Sequence, residues 1–151
     1  MADRYHFEVR VDGIPKGQPR PRAFAFKGHA RIYDAGTAEG WKSLVANAVK
    51  PHLPPAPLEG PVRVDMIFRF PRPKRLCRKK DPPGEVPHTA KPDIDNLEKS
   101  VFDALQQIGV FRDDGQVCAG EVLKFYHAIG GRPGATIRVE DLSDQAKEQN
   151  P

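Results

Sequence analysis

Hydrophobic and polar residues alternate along several short stretches of the chain. In "YHFEVRVDG", residues 5–13, every second residue is apolar, which is the period of a strand with one buried face. The same alternation recurs in "PVRVDMIFRF" (61–70) and, more briefly, in "ATIRVED" (135–141), and "EVLKFYHAI" (121–129) is a further predicted strand. The pattern therefore predicts four strands. "RAFAF" and "ARIYD" add a predicted hairpin that turns across Lys27, Gly28 and His29.

Two other stretches have the spacing of amphipathic helices. Apolar side chains at helical intervals form one stripe over Trp41, Leu44, Val45 and Ala48, and another over Leu97, Val101, Ala104, Leu105 and Ile108. Strands and helices in this mixed order predict an α+β fold. We expect a mixed or antiparallel β-sheet with two main helices packed on it.

The length and composition are those of one domain. At 151 residues, the chain is long enough to bury a core but too short to suggest two domains. We expect a domain over 1–142 and a flexible tail over 143–151, "SDQAKEQNP". Residues 71–90 are too rich in proline and charge to belong to a core. With no long apolar run and no apolar leader segment, the sequence predicts an intracellular protein without membrane spans.

The charges are divided unevenly along the chain. Residues 1–91 contain 18 Lys and Arg against 9 Asp and Glu, whereas residues 92–151 contain 6 against 11. The two parts therefore carry +9 and −5. A basic region beside an acidic cluster is what a polyanion-binding protein with a divalent-cation site requires. Charge alone leaves a segregated, solvated surface as an equal alternative.

The acidic residues concentrate in "KPDIDNLEKSVFDALQQIGVFRDD", residues 91–114. Carboxylates at a helix start bond to free backbone N–H groups and favour the helix dipole, so Asp93, Asp95 and Glu98 have a structural explanation. Geometry offers a second explanation, because Asp95, Lys99 and Asp103 share the helix side opposite the apolar stripe.

The turn after the predicted helix adds to this second explanation. It brings Asp113 or Asp114 beside the helix if the next strand runs alongside it. Three carboxylates from two segments would form a hard-oxygen site of the kind that Mg²⁺ prefers. An EF-hand is excluded, because Leu97 and Glu98 stand where its loop needs an oxygen ligand and a glycine. The proline-containing flank also excludes a haloacid-dehalogenase phosphatase, whose paired aspartates follow a buried strand.

The pattern "H..KPDIDNLEKSVFDALQQIGVFRDDGQV" resembles the signature of the RusA family of Holliday junction resolvases. The likeness fixes a Lys-Pro-Asp-x-Asp-Asn-Leu-x-Lys helix start, an Asp-Ala-Leu stretch and a downstream Asp-Asp pair. It extends to "GIPKGQPRPR", "IYD" and "GPVRVDMIFRFPRPK", and so covers nearly the whole chain.

The resemblance implies a homodimeric, Mg²⁺-dependent endonuclease that resolves four-way DNA junctions by paired nicks in recombination and repair. It implies Asp93, Asp95 and Asp114 as metal-binding catalytic carboxylates and Lys99 as the essential lysine. Lys99 would position the attacking water or stabilise phosphate charge, although a simple i,i+4 partnership with Asp95 stays open. Asp113 and Asn96 are expected to support the site, and we interpret Asp103 as a surface residue paired with Lys99.

Branched DNA is the expected partner, held by two basic loops. The predicted DNA-binding residues are Lys16, Arg20, Arg22, Arg75, Arg78, Lys79, Lys80 and Lys91, with Lys27, Arg72 and Lys74 in the same loops. We interpret His88 as a loop residue that contacts phosphate. Two alternative functions stay open: a non-catalytic protein that binds branched DNA, and a general Mg²⁺-dependent nuclease.

Overall fold

The computed structural model describes residues 4–19, 22–26, 29–33 and 37–144. This part of the chain contains eight strands and two α-helices. In chain order they are β1 His6–Asp12, β2 Arg22–Phe26, β3 His29–Tyr33, α1 Thr37–Val49, β4 Val62–Phe70, β5 Val86–Pro87, α2 Ile94–Gln107, β6 Val117–Ala119, β7 Val122–Tyr126 and β8 Gly134–Asp141. Short 3-10 turns cover Lys50–His52, Lys74–Leu76 and Asp114–Gln116.

Six strands form one mixed sheet, in which five follow the order β1-β8-β4-β7-β5 and β6 pairs with β4. The β4 strand pairs antiparallel with β8 on one side. On its other side it pairs parallel with β6 near its start and with β7 near its end. The β2 and β3 strands form a separate antiparallel hairpin in which Phe26 is paired with His29. The predicted α+β fold, the four strands and the hairpin are confirmed, although His29 lies in β3 and not in the turn.

The alternation along the strands separates the two faces of the sheet. In β4, the side chains at every second position from Val62 to Phe70 are buried, and those between them are half-buried. Both helices cover the buried face. Their core side chains are Trp41, Val45, Val49, Leu97, Val101, Ala104 and Leu105. Leu44, predicted in the apolar stripe, is instead 43% exposed. It lies at the edge of the core, over Gly13.

Neither helix, within the described ranges, is long and apolar enough to cross a bilayer.

The junction between β6 and β7 depends on a glycine. Gly120 has φ +150°, and a Cβ atom built on it would lie 1.8 Å from the carbonyl oxygen of Val64 in β4. The neighbouring Glu121 is bonded on both sides: its N–H donates to Asp65 Oδ1, and its carbonyl accepts from Met66 N, each at 2.9 Å. The chain therefore passes so close to β4 here that a side chain has no space.

We predict that Gly120→Ala lowers the free energy of unfolding by about 3 kcal/mol, since it adds backbone strain and a clash with a central strand. Gly40→Ala is the matched control, because its added Cβ meets nothing within 4 Å. It should stabilise the exposed face of α1 by about 1 kcal/mol. Urea unfolding followed by circular dichroism measures both changes. Equal stability of the two variants would contradict this description of the β6–β7 junction.

Candidate active site

The second helix begins directly after a carboxylate that does not cap it. Asp93 holds the N-cap position with an extended backbone, φ −71° and ψ 152°, but its side chain makes no capping hydrogen bond. Its Oδ2 atom instead accepts a hydrogen bond from Lys91 Nζ at 2.7 Å. Both side chains are exposed. The side chain of Asp93 therefore does not cap α2, although its charge lies at the helix start.

Asp95 is exposed in the first turn of α2. One turn later stands Glu98, which is half-buried. Burial raises the pKa of Glu98, and the negative charge of Asp95 raises it further. The start of the helix therefore concentrates negative charge, and a bound cation would relieve that repulsion.

Lys99 connects the helix to the turn that follows it. Its Nζ atom lies 2.7 Å from Asp114 Oδ2 and 3.0 Å from Asp103 Oδ1. The expected return of Asp114 to the side of the helix is confirmed, and so is the pairing of Asp103 with Lys99. Hydrogen bonds to Asp114 and then to Asp103 raise the pKa of Lys99. Lys99 is therefore a cation at neutral pH.

The turn that carries Asp114 has its own hydrogen-bond network. The Asp113 carboxylate accepts from the backbone amide two residues later at 3.0 Å, and Gln116 completes a capping box with it. The Gln116 side chain also donates to the carbonyls of Leu58 and Gly60 at 2.8 and 2.9 Å. Asp113 and Gln116 thus hold the turn in place, and these contacts fix the backbone position of Asp114.

The loop before the hairpin lies against the start of α2. Gln18 N donates to Asn96 O at 2.9 Å. A Cβ atom on Gly17 would come within 3.0 Å of Asn96 Cβ and 3.2 Å of Pro92 Cβ. The predicted DNA-binding residue Lys16 therefore directly precedes the point of contact with the helix start. Asn96 takes part in this contact through its backbone carbonyl and Cβ.

The predicted DNA-binding residues Arg20 and Arg22 follow Lys16 in the chain. Arg20 lies outside the described residues, as does Lys27, and Arg22 is placed only as the first residue of β2.

The second basic loop, residues 72–81, is built around a buried arginine. Arg72 is only 8% exposed. Its guanidinium donates to the carbonyls of Leu76, Gly84 and Pro82 at 2.8, 2.7 and 2.6 Å. The expectation that Arg72 faces phosphates is wrong, because a buried guanidinium needs acceptors and three backbone carbonyls supply them. Arg72 organises the loop from within.

The other cations of this loop are on its surface. Lys74, Arg75, Arg78, Lys79 and Lys80 are all exposed. Arg78 is steadied by Asp81, whose Oδ2 accepts from the Arg78 backbone N–H at 2.8 Å and from Nε at 3.4 Å. These five side chains therefore form a basic surface on an ordered framework.

His88 is a core residue and not a phosphate contact, so that prediction is also wrong. It is 8% exposed, and its ring stacks on Phe70 with centroids 4.2 Å apart and lies 4.7 Å from the Tyr126 ring. Burial lowers the pKa of His88, and the nearby charge of Lys124 lowers it further. The neutral ring is thus a packing element between β4 and β7.

Sequence reasoning missed Lys124 in β7. Its Nζ atom donates to the carbonyls of Ala90 and Pro92, both at 2.8 Å. The signal was a single lysine within the otherwise apolar run Val122–Tyr126 of a predicted strand.

The proposed metal ligands are not gathered into a closed set. Within the ranges that the structure describes, no three His, Cys, Asp or Glu side chains form a group that could hold a metal ion. Asp93, Asp95 and Asp114 nevertheless supply carboxylate oxygens at one end and one side of a single helix, and hard oxygens are the ligands that Mg²⁺ prefers. The donor chemistry fits a divalent cation. At Asp114 the ammonium group of Lys99 provides the neighbouring positive charge.

Comparisons with known proteins agree on one family. A family model described as endodeoxyribonuclease RusA matches residues 12–140. The uncharacterized protein YqaN of Bacillus subtilis is 35% identical over 138 residues, which are 88% of this chain and 94% of that protein. Crossover junction endodeoxyribonuclease RusA of Escherichia coli is 42% identical over 52 residues, 34% of this chain and 43% of that enzyme. The enzyme of the same name from Enterobacteria phage 82 matches to the same extent.

Proposed function

Because the chain belongs to the RusA family of endodeoxyribonucleases, we propose that it is a structure-specific endonuclease that resolves four-way DNA junctions. Resolution would proceed by paired nicks and depend on Mg²⁺. The alignment to the named resolvases spans less than half of their length, so the proposal depends on the residues of the candidate site as well as on the family.

The observation that carries the proposal is the ion pair between Lys99 of α2 and Asp114 of the turn that follows the helix. A cation that lies 2.7 Å from Asp114 and one turn from Asp95 joins two carboxylate segments that are 15 or more residues apart in the chain. Helix capping needs no such arrangement. Cleavage of a phosphodiester does, since it requires both acidic metal ligands and a positive charge near the phosphate.

Asp93, Asp95 and Asp114 would hold the Mg²⁺ ion. Once bound, the ion would neutralise the charge that develops on the phosphate and lower the pKa of a water molecule. Lys99, kept protonated by its two carboxylate partners, would stabilise negative charge on the phosphate. A raised pKa makes it a poor proton acceptor, which favours this role over that of a general base.

DNA would be held through its backbone. Lys16 and Lys91 are near the start of α2, and the exposed side chains of Arg75, Arg78, Lys79 and Lys80 form the surface of the basic loop. Arg20 and Arg22 follow Lys16 in the chain, and the sequence alone assigns them to the same DNA-binding loop as Lys16. Such contacts position a duplex without reading its bases, as recognition of a junction by shape requires.

The first test is incubation of purified protein with a synthetic four-way junction, in Mg²⁺ and in EDTA, beside a flap and a linear duplex of the same sequence. Metal-dependent symmetric nicks in the junction support the proposal. Binding without nicking would make the chain a non-catalytic DNA-binding protein. Equal cleavage of all three substrates would make it a general nuclease.

Asp114→Asn should lower junction cleavage by about 100-fold or more, because it removes a charge that holds the metal. Junction binding in EDTA should be kept or strengthened, since one fewer carboxylate faces the phosphates. Asp95→Asn should behave alike. Asp144→Asn, a change of the same charge at an exposed position near the end of the described chain, should cut like the parent. Thermal melts verify folding, and a folded Asp114→Asn that cuts at the parental rate would refute the site.

The affinity for junction DNA should fall steeply with salt, because phosphate contacts release counterions. Replacing Arg78, Lys79 and Lys80 by alanine should reduce the slope of log affinity against log salt by about 3. A matched control replaces three other exposed arginines and so removes the same charge: Arg10 of β1, Arg138 of β8, and Arg132 in the segment before β8. An equal change of slope in both triple variants would mean that net charge, not the basic loop, determines binding.

Symmetric resolution needs two active sites that face opposite strands, so we infer a two-fold homodimer as the working form. Sedimentation velocity at micromolar concentration, with and without junction DNA, should give twice the mass of the chain. A monomer that retains paired nicking would contradict the inference.

A further inference from the structure

Lys124 occupies a core-facing position of the central sheet. In β7 it lies between Val122 and Tyr126, and in register it is paired with Phe68 of β4, whose side chain is fully buried. An ammonium group on this face loses hydration, and burial lowers the pKa of Lys124. Placing a charge here is costly unless hydrogen bonds replace the lost water.

Hydrogen bonds to the segment before Asp93 replace the water that the Lys124 ammonium group loses. The Lys124 ammonium donates to the carbonyls of Ala90 and Pro92 at 2.8 Å each, on either side of Lys91. The backbone carbonyl of the same residue accepts from His88 N at 3.1 Å. One residue of β7 therefore holds the chain at 88, 90 and 92, and Asp93 follows immediately.

This arrangement matters because Asp93 has no helical turn before it. The chain reaches the N-cap in an extended conformation, and the Asp93 carbonyl accepts a hydrogen bond from Leu97 N at 3.1 Å. That bond ties Asp93 to the helix on its carboxyl side, whereas the direction from which the chain enters depends on the ties of residues 88–92 to β7. The ammonium of Lys124 is also close enough to Asp93 for their opposite charges to attract.

We propose that Lys124 is a positioning residue of the active site: it ties the segment 88–92 to the central sheet and thereby fixes Asp93 in the orientation that metal binding requires. The inference rests on the proposed function, because it assigns Asp93 to the metal site. Lys124 itself is not assigned a contact with DNA or with the reacting phosphate. Its effect passes through the backbone of Ala90 and Pro92.

The test is Lys124→Met, which keeps an unbranched side chain on the core face but removes the ammonium. The matched control is Lys42→Met, because Lys42 is a buried lysine of α1 with one ion pair, 2.8 Å to Glu39. Three quantities are measured in each: Mn²⁺ affinity by calorimetry without DNA, amide hydrogen exchange over residues 88–93, and cleavage of the four-way junction against Mg²⁺ concentration. Junction affinity in EDTA is measured alongside.

For Lys124→Met we expect Mn²⁺ affinity to weaken by about tenfold and half-maximal cleavage to need about tenfold more Mg²⁺, as is typical when a group that orients a ligand is lost. Exchange over 88–93 should accelerate, while junction affinity in EDTA stays parental. Lys42→Met should leave all four unchanged. A folded Lys124→Met with parental Mn²⁺ affinity and Mg²⁺ response would overturn the proposal.

The outcomes separate the two levels of inference. If the parent protein neither binds Mn²⁺ nor cuts the junction, both the proposed function and this inference are wrong. If the parent protein and Lys124→Met both cut the junction with the same Mg²⁺ response, only the proposed role of Lys124 is wrong. If Lys124→Met does not fold, Lys124→Gln, shorter and neutral but still polar, is measured in its place with the same expectation. Failure of both to fold would make Lys124 a folding residue and overturn the proposal.

Discussion

The apolar side of α2 sets the rotation of that helix, and the candidate site depends on it. Leu97 and Leu105 are fully buried against the sheet, and each contributes about 1.5–3 kcal/mol relative to exposure. The ion pair of Lys99 with Asp114 has both side chains partly exposed and contributes at most about 1 kcal/mol. Packing therefore decides which way the helix faces. The carboxylates stand on the outer side because the leucines occupy the inner one.

Rotation alone does not bring the acidic segments together, and polar contacts at both ends of α2 complete the arrangement. At the start, Lys124 and the backbone of Gln18 hold the entry to the helix. At the end, Gln116 ties the turn that carries Asp114 to residues 58–60. These contacts fix the backbone and leave acidic side chains close together at the helix start, where burial and then the charge of Asp95 raise the pKa of Glu98. Perturbed pKa values of this kind cluster at functional sites.

The main elements of the fold could be predicted from the sequence because they follow from local periodicity. The alternation that predicted β4 is visible in its buried residues, and the stripe through Leu97 and Leu105 forms the core side of α2. The short turn after the helix also allowed Asp113 or Asp114 to be expected beside it, on the condition that the next strand runs alongside, and Asp114 lies there. Leu44 was misplaced because a periodic stripe does not show where the sheet ends.

What the sequence could not supply was the partner of each inward-facing polar residue. Arg72 stands in a run of basic and proline residues, so nothing local distinguishes it from its exposed neighbours. Its burial depends on three carbonyls supplied as the loop folds back on itself. His88 is buried for a similar reason, since Phe70 and Tyr126 reach it from two different strands. Contacts of this kind arise only after the strands have paired.

The β7 strand and the residues just after it contact both the basic loop and the segment that leads to Asp93. Beyond the strand, His127 accepts a hydrogen bond from the backbone of Arg72, and Ile129 N donates to Pro83 O, so this segment supports the basic loop. Within the strand, Lys124 holds the segment that leads to Asp93. Under the proposed function, a phosphate bound by the basic loop would stand at a fixed distance from the carboxylates, because one continuous stretch of backbone supports both. An enzyme that recognises a branch by shape and cuts at a set distance from it needs such a rigid connection, and β7 would provide it.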